Sequence, residues 1–228
     1  MRIGVLGPLE VRSGDEVVEV AGARLRALLI ALALEPGQVV PLTRLVYAVW
    51  GESPPSAALN AVQALVSRLR RQLPGLRVES HPAGYLLAVE PDDVDAVRFA
   101  RLVAAGDTRA ALELWRGPAL TDVADSAYFA GWTARLTELR LTALEDLPEA
   151  APVAELAALV ADHPLRERLA AALMRSLRAA GRTAEALAVY ERTRTALADE
   201  LGVDPSPELR ALVRAPSRTN LRPALTSF

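Results

Sequence analysis

The sequence predicts a mainly α-helical protein with small β-sheets, and three observations lead to that expectation. Hydrophobic residues make up 51% of the 228 residues but aromatic residues only 4%, and the apolar positions are mostly Ala and Leu, which favour helices. Branched aliphatic residues are concentrated in the first 22 positions, which indicates short strands there. From Pro91 onward the pattern is helical almost to the end, so we expect either one large domain or two small ones.

The first part of the chain predicts two strands followed by two helices. We expect strands over residues 2–11 and 16–20, separated by a turn at Ser13–Asp15. Leucines spaced at i, i+3, i+4 and i+7 from Leu25 onward predict a first helix that ends before Pro36. A second short helix is predicted from about Leu42 to Trp50.

A third helix, predicted from about Ala57 to Leu73 with Ser56 as its cap, has two distinct faces. One stripe is apolar and is expected to be buried: Leu59, Val62, Val66, Leu69 and Leu73. The roughly opposite face is predicted to be exposed: Asn60, Ala64, Ser67, Arg68 and Arg71. Two short strands, over residues 76–78 and 85–87, are expected to follow as a hairpin around residues 81–84.

This helix and hairpin are locally basic although the whole chain has a formal net charge of -2. No acidic residue occurs from Ser53 to Val78, and four arginines fall in that window: Arg68, Arg70, Arg71 and Arg77. A cationic helix followed by a basic hairpin is what a winged helix-turn-helix uses to enter a DNA groove. The alternative for any such helix is a solvated charged face.

The exposed face of the third helix supplies the candidate base contacts, namely Asn60, Ala64, Ser67, Arg68 and Arg71. Arg68 is the best candidate, because the pattern places it centrally on the polar face and a guanidinium can bond O6 and N7 of guanine together. Other basic positions are expected to meet phosphates or to lie on the wing: Arg24, Arg26, Arg44, Arg70, Arg77 and His81. Plain surface charge is the alternative for Arg24 and Arg26, and a solvated loop position is the favoured interpretation of His81.

The second half contains an internal repeat that predicts stacked helical hairpins. Residues 104–115 (AAGDTRAALELW) and 179–190 (AAGRTAEALAVY) place Gly at a turn, Thr as the next helix cap and Ala-Leu at a close contact, as in tetratricopeptide-like units. The loop over residues 116–125 is either a packing loop between two helical hairpins, which we favour, or a protein-contact surface. Ser206-Pro207-Glu208 should begin a last helix. Residues 215–228 read as a linker or tail.

Several classes of function are disfavoured by composition. With no Cys and only two distant histidines, His81 and His163, the sequence offers neither a metal site nor a nucleophile–base pair. All basic residues are Arg, so a P-loop lysine is absent and we expect no cofactor. The adjacent acids at 92–95 are explained by a helix dipole. The chain lacks a signal peptide and a long apolar run, so we expect a cytoplasmic protein outside the membrane.

Many short strings, in order, resemble the AfsR-like or SARP type of bacterial transcriptional activator. They include Arg24-Leu25-Arg26-Ala27-Leu28-Leu29, Ala48-Val49-Trp50-Gly51, Val66-Ser67-Arg68-Leu69-Arg70-Arg71, Leu114-Trp115-Arg116-Gly117-Pro118 and Glu200-Leu201-Gly202-Val203-Asp204-Pro205. The resemblance implies an OmpR-type winged helix over residues 1–90 and a helical bacterial transcriptional activation domain over 91–214. It also implies promoter direct repeats bound by a homodimer or tandem protomers, and recruitment of RNA polymerase with its sigma factor.

The sequence therefore predicts a sequence-specific DNA-binding transcriptional regulator that acts as an activator and is not an enzyme. Two alternatives remain open. One is a tetratricopeptide-like scaffold in which the repeats bind a partner and the winged helix is either vestigial or a protein-binding module. The other is the DNA-binding output region of a larger nucleotide-regulated switch protein, with residues 218–228 as the junction.

Overall fold

A computed structural model describes residues 1–147 and 151–214, and it divides the chain into two compact units. The first unit comprises residues 1–143, and the second begins at Leu144. The predicted tail at 215–228 lies outside the described residues. The mainly helical fold with small sheets is confirmed. Among the described residues no helix is long and apolar enough to cross a membrane.

The first unit opens with an antiparallel three-stranded sheet in the order β1-β2-β3. The strands are β1 (Arg2–Gly4), β2 (Glu10–Ser13) and β3 (Glu16–Val18). The prediction of one strand over residues 2–11 is wrong, because the chain leaves the sheet at Val5–Leu9. Gly7 there has φ of 146° and Pro8 follows. The backbone N–H groups of Val5 and Leu6 donate to the carboxylate of Asp95 (2.8 and 3.1 Å) instead of to a neighbouring strand.

Three helices then form the helix-turn-helix core: α1 (Ala23–Ala33), α2 (Leu42–Trp50) and α3 (Ala58–Gln72). Helix α1 is buried almost all round from Ala27 onward, so α2 and α3 can both pack against it. The bounds predicted for α2 are confirmed. Helix α3 begins one residue after the predicted start, with Ala57 as its N-cap, and the predicted side-chain cap by Ser56 is wrong.

A second three-stranded sheet closes this core, in the order β4-β6-β5, and is antiparallel throughout. Its strands are β4 (Val39–Pro41), β5 (Val78–His81) and β6 (Gly84–Leu87). The wing hairpin is therefore longer and tighter than predicted, with only Pro82 and Ala83 between its strands. Gly84 permits the close approach of β6 to β4, since a Cβ there would lie 2.0 Å from the carbonyl oxygen of Val40.

The rest of the first unit is helical and is bonded to the N-terminal segment by two carboxylates. It contains α4 (Asp95–Ala104), α5 (Thr108–Leu112), the start of α6 (Ala127–Asp146), and short 3-10 turns at Pro91–Asp93 and Thr121–Val123. Asp95, at the start of α4, accepts from Val5 and Leu6 and lies 3.2 Å from Arg116. Asp122 accepts the N–H of Leu9 (2.6 Å).

The loop predicted over residues 116–125 packs, as favoured from the sequence. Ala119, Leu120 and Val123 are buried, and the N–H of Leu120 donates to the carbonyl of Val5 (2.9 Å). The expected setting between two helical hairpins was wrong, because the loop covers the turn after β1 and contacts α1.

The second unit contains the end of α6 and four further helices: α7 (Val153–Asp162), α8 (Glu167–Ala179), α9 (Thr183–Leu201) and α10 (Pro207–Arg214). From α7 to α10 consecutive helices pack on one another, as expected of a helical repeat. The predicted start of the last helix is confirmed, because Ser206 Oγ accepts the N–H of Leu209 (3.3 Å).

The two copies of the sequence repeat each lie at a helix–turn–helix step. Gly106 and Gly181 have φ of 80° and 75°, the left-handed conformation that a turn glycine supplies. The predicted Thr caps were wrong, because Thr108 and Thr183 are the first helical residues and the residue before each is the N-cap. The alanine of each Ala-Leu pair is fully buried, whereas Leu187 is exposed.

The double acceptor role of Asp95 yields a stability prediction. An Asp95→Asn substitution keeps one acceptor but turns an NH₂ donor toward one of the two backbone N–H groups. We expect a loss of about 1–3 kcal/mol in the free energy of unfolding, measured by urea titration, because a buried donor is left unpaired.

The pH dependence of the free energy of unfolding, compared between wild type and Asp95→Asn, provides the control. Burial raises the pKa of Asp95 above its usual value, despite the opposing bonds from Val5, Leu6 and Arg116. A raised folded-state pKa means that the stabilisation is fully present below the unfolded pKa and declines as pH rises through the folded one. The difference in free energy of unfolding between wild type and Asp95→Asn should therefore be larger near about pH 4 than near about pH 7. A difference that does not change with pH would contradict the raised pKa of Asp95.

Candidate nucleic-acid interface

Helix α3 is amphipathic, and its polar face is open to solvent. On the inner side Val62, Val66 and Leu69 are at most 1% exposed. Burying each of these side chains is worth about 1.5–3 kcal/mol, which fixes the rotation of the helix. The residues predicted to face bases are all exposed: Asn60, Ala64, Ser67, Arg68 and Arg71. The structure therefore brings all five onto one accessible surface.

Two further side chains on this helix were not predicted to be part of the face. Leu59, expected in the core, is 52% exposed. Gln63 is also exposed, one turn from Asn60 and Ser67. Leu59 is the second residue of α3, and at this end of the helix the apolar pattern alone misplaces it. An amide can bond adenine in two places and an apolar side chain can contact a thymine methyl.

The two arginines assigned to bases differ in their surroundings. Arg71 is exposed and makes no ion pair or hydrogen bond to any part of the chain that the structure describes. Arg68 donates from Nη2 to the carbonyl of Ala21 (3.1 Å), just before α1. At 100° per residue Arg71 is near the centre of the exposed face and Arg68 near its margin. The central position that the sequence suggested for Arg68 is thus occupied by Arg71.

Arg70, in the last turn of α3, and Arg77, directly before β5, are both bonded to residues of the wing. The guanidinium of Arg70 donates to the carbonyl of Val78 and to Ser80 Oγ. Arg77 is 77% exposed and pairs with Glu79 at 2.7 Å. His81 accepts the N–H of Ala83 through Nδ1 (3.2 Å), which closes the turn of the hairpin.

The two arginines at the start of α1 also differ. Arg24 is exposed, and its Cζ lies 6.0 Å from the ring centre of Trp50. Arg26 is half-buried, with Nε 2.8 Å from a carboxylate oxygen of Asp122. The first turn of α1 carries no acidic residue and its cap, Gly22, has no side chain, so the helix N-terminus remains attractive to an anion.

Arg44 lies in a polar and aromatic cluster with Glu35 and Tyr128. It donates to both oxygens of Glu35 (3.2 and 2.5 Å) and to the hydroxyl of Tyr128 (3.2 Å). The hydrogen bond to Glu35 raises the pKa of Arg44, and burial raises the pKa of Tyr128. The ring of Tyr128 also meets Tyr47 edge-on, at 6.0 Å between centres. This cluster joins α2 to α6.

Comparison with known proteins identifies the family. A model described as "Transcriptional regulatory protein, C terminal" matches residues 16–87, and one described as "Bacterial transcriptional activator domain" matches residues 94–215. The regulatory protein DnrI of Streptomyces peucetius is 36% identical over 94% of this chain and 91% of its own length. The chain belongs to the AfsR-like, or SARP, family of bacterial transcriptional regulators.

Other members of the family differ from this chain in length. The regulatory protein AfsR of Streptomyces coelicolor is 44% identical over 93% of this chain, yet the chain spans only 24% of that relative. A solved structure, Mycobacterium tuberculosis EmbR in complex with a low-affinity phosphopeptide, has a TM-score of 0.74 and 32% identity. It covers 93% of this chain, and the match covers 64% of the EmbR chain. The likeness extends through both parts of the predicted architecture.

The different partners of Arg24 and Arg26 predict different effects on stability. Arg26→Ala leaves the half-buried carboxylate of Asp122 without its ion pair and should lower the free energy of unfolding by about 1 kcal/mol. Arg24→Ala removes only a distant contact to an aromatic ring, so its effect should stay within about 0.5 kcal/mol. Urea unfolding of the two variants measures both. Equal losses would mean that the Arg26–Asp122 pair contributes nothing of its own.

Proposed function

We propose that this chain is a cytoplasmic, sequence-specific DNA-binding activator that reads the major groove with α3. The observation that carries the proposal is the exposed, acid-free face of α3, held outward by its buried apolar stripe. A helix of this kind fits the major groove, where base edges present distinct donor and acceptor patterns. Asn60, Ala64, Ser67, Arg68 and Arg71 form the base-facing set, to which Gln63 is added.

Within that set Arg71 is the leading candidate for a guanine. Its guanidinium is exposed and does not have to give up a described partner to reach a base edge. Arg68 must exchange its bond to the carbonyl of Ala21 for a base, which reduces the net gain. A bidentate arginine–guanine contact provides about 1–3 kcal/mol of discrimination.

Phosphate contacts are assigned to Arg24, beside the N-terminus of α1, and to Arg77 on the wing, with His81 at the wing turn. Arg26 and Arg44 were also predicted to meet phosphates. Their ion pairs with Asp122 and Glu35 favour a structural role for both. The wing contact and the α1 contact would then lie on either side of the α3 face, which suits a helix seated between two phosphate backbones.

The activating step is assigned to the helical part of the chain. Family membership supports a contact to RNA polymerase. We extend the proposal to its sigma factor and to protomers bound in tandem, or as a homodimer, on direct repeats. The physical basis is simple: a weak protein–protein contact beside a DNA contact is strengthened by high effective concentration. The alternative of an output region in a larger nucleotide-regulated protein uses the same DNA interface.

The base and phosphate classes predict different responses to substitution. Arg71→Ala should weaken binding to a duplex selected by this chain from a random pool by about 1–3 kcal/mol and relax the preference over unselected duplex. Arg24→Ala should weaken binding to selected and unselected duplexes alike. Fluorescence anisotropy titrations on both duplexes provide the comparison. Equal losses on both duplexes for Arg71→Ala would move that residue to the phosphate class.

Salt dependence separates the proposal from a scaffold that binds only protein. Each neutralised phosphate contributes a slope of about -0.9 to the plot of log K against log salt, so several contacts cost orders of magnitude between roughly 50 and 200 mM. If the random pool yields no enriched duplex and the affinity for duplex DNA does not change with salt, DNA binding is refuted and the protein-binding scaffold remains.

A further inference from the structure

Arg70 makes a forked contact between α3 and the wing. Its Nε and Nη2 atoms both donate to the carbonyl oxygen of Val78, at 3.0 and 2.7 Å, and Nη2 also donates to Ser80 Oγ at 3.0 Å. The guanidinium carbon lies 5.9 Å from the ring centre of Tyr85. Several donors of one side chain are therefore directed at one hairpin.

The carbonyl that Arg70 binds is available because β5 is an edge strand. Strand β6 lies in the middle of the sheet and pairs with both β4 and β5, so within the described residues one side of β5 lacks a strand partner. An unpaired edge carbonyl is either solvated or bonded by a side chain. Arg70 supplies that bond from the last turn of α3, and Tyr85, opposite Ser80 in the β5–β6 register, supports the same guanidinium.

We propose that Arg70 is a positioning residue, which sets the wing against the recognition helix and acts on DNA through Arg77 instead of through a phosphate of its own. This inference rests on the proposed function. The carbonyl to which Arg70 donates belongs to Val78, which directly follows Arg77 in the chain. The fork therefore fixes the backbone from which the exposed Arg77 side chain projects. The major-groove and wing contacts are held in one register.

The chemistry of the contact favours positioning over direct phosphate binding. Two N–H groups converge on one carbonyl, a geometry that the planar guanidinium provides and an ammonium does not. A phosphate, in contrast, is bound both by the point charge of a Lys ammonium and by the two parallel N–H groups of an Arg guanidinium. A bidentate phosphate contact through Nε and Nη2 would require Arg70 to leave both Val78 and Ser80, so a phosphate meets only the remaining Nη1 donors while the fork is intact.

The decisive variant is Arg70→Lys in the full chain, because it keeps the charge and removes the fork. We expect it to weaken binding to the selected duplex about tenfold and to raise amide hydrogen exchange in β5. Arg24→Lys is the matched control: as a phosphate contact it should keep its affinity within about twofold. If Arg70→Lys binds like wild type, Arg70 is a phosphate contact and the proposal is wrong.

A double-mutant cycle tests whether Arg70 acts through Arg77. If Arg77→Ala weakens binding about fivefold alone, it should have less than about a twofold effect once Arg70 is Lys, because a released wing no longer presents Arg77. If the double variant loses affinity by the product of the two single-variant factors, the residues act independently and the proposal is wrong. Ser80→Ala removes one bond of the fork and no charge. It should weaken binding slightly with an unchanged salt slope, and it decides the question even if Arg70→Lys is poorly folded.

The two proposals fail in distinguishable ways. Failure to select any duplex would remove the proposed function itself. A selected duplex bound equally well by wild type, Arg70→Lys and Ser80→Ala would leave DNA recognition intact and remove only the role of Arg70 in placing the wing.

Discussion

The burial of one apolar stripe on α3 against α1 is the constraint from which the interface follows. Val62, Val66 and Leu69 are withdrawn from water by a helix that is itself almost wholly buried. With about 1.5–3 kcal/mol attached to each side chain, no other rotation of α3 competes. The same rotation turns Asn60, Ser67 and Arg71 outward, so the core packing and the candidate recognition face are a single consequence of one sequence pattern.

The hydrogen-bond and ion-pair partners of the arginines provide a second level of organisation. Several basic side chains near α3 have definite partners within the first unit, and these partners sort them. Arg26 and Arg44 hold carboxylates, Arg70 holds the wing, and Arg24 and Arg71 remain open to a ligand. The charge footprint is thus divided between holding the domain together and meeting DNA. Basic composition alone does not show which arginine does which.

The sequence predicted what depends on local pattern and missed what depends on distant pairing. The bounds of α2, the two faces of α3 and the wing hairpin all follow from periodicity and turn residues over short windows. Asp95 and Asp122 reach segments about 90 and 113 residues away, so no window reveals them. The helix dipole was a sufficient explanation of the acids at 92–95, so the local pattern did not predict the hydrogen bonds that Asp95 accepts from Val5 and Leu6. Leu59 shows the opposite error, since a leucine in phase with a core stripe can still lie beyond the core.

Site-directed cleavage of DNA, which the cysteine-free chain permits, reports directly whether α3 enters the major groove. Ser67→Cys labelled with an iron chelate should cut a selected duplex at a few adjacent positions, with the strand offset expected of a reagent in the major groove. The same label at Val17→Cys, on the exposed strand β3, should give no localised cleavage. Equal cleavage from both sites, or none from residue 67 while the duplex remains bound, would show that α3 does not enter the groove.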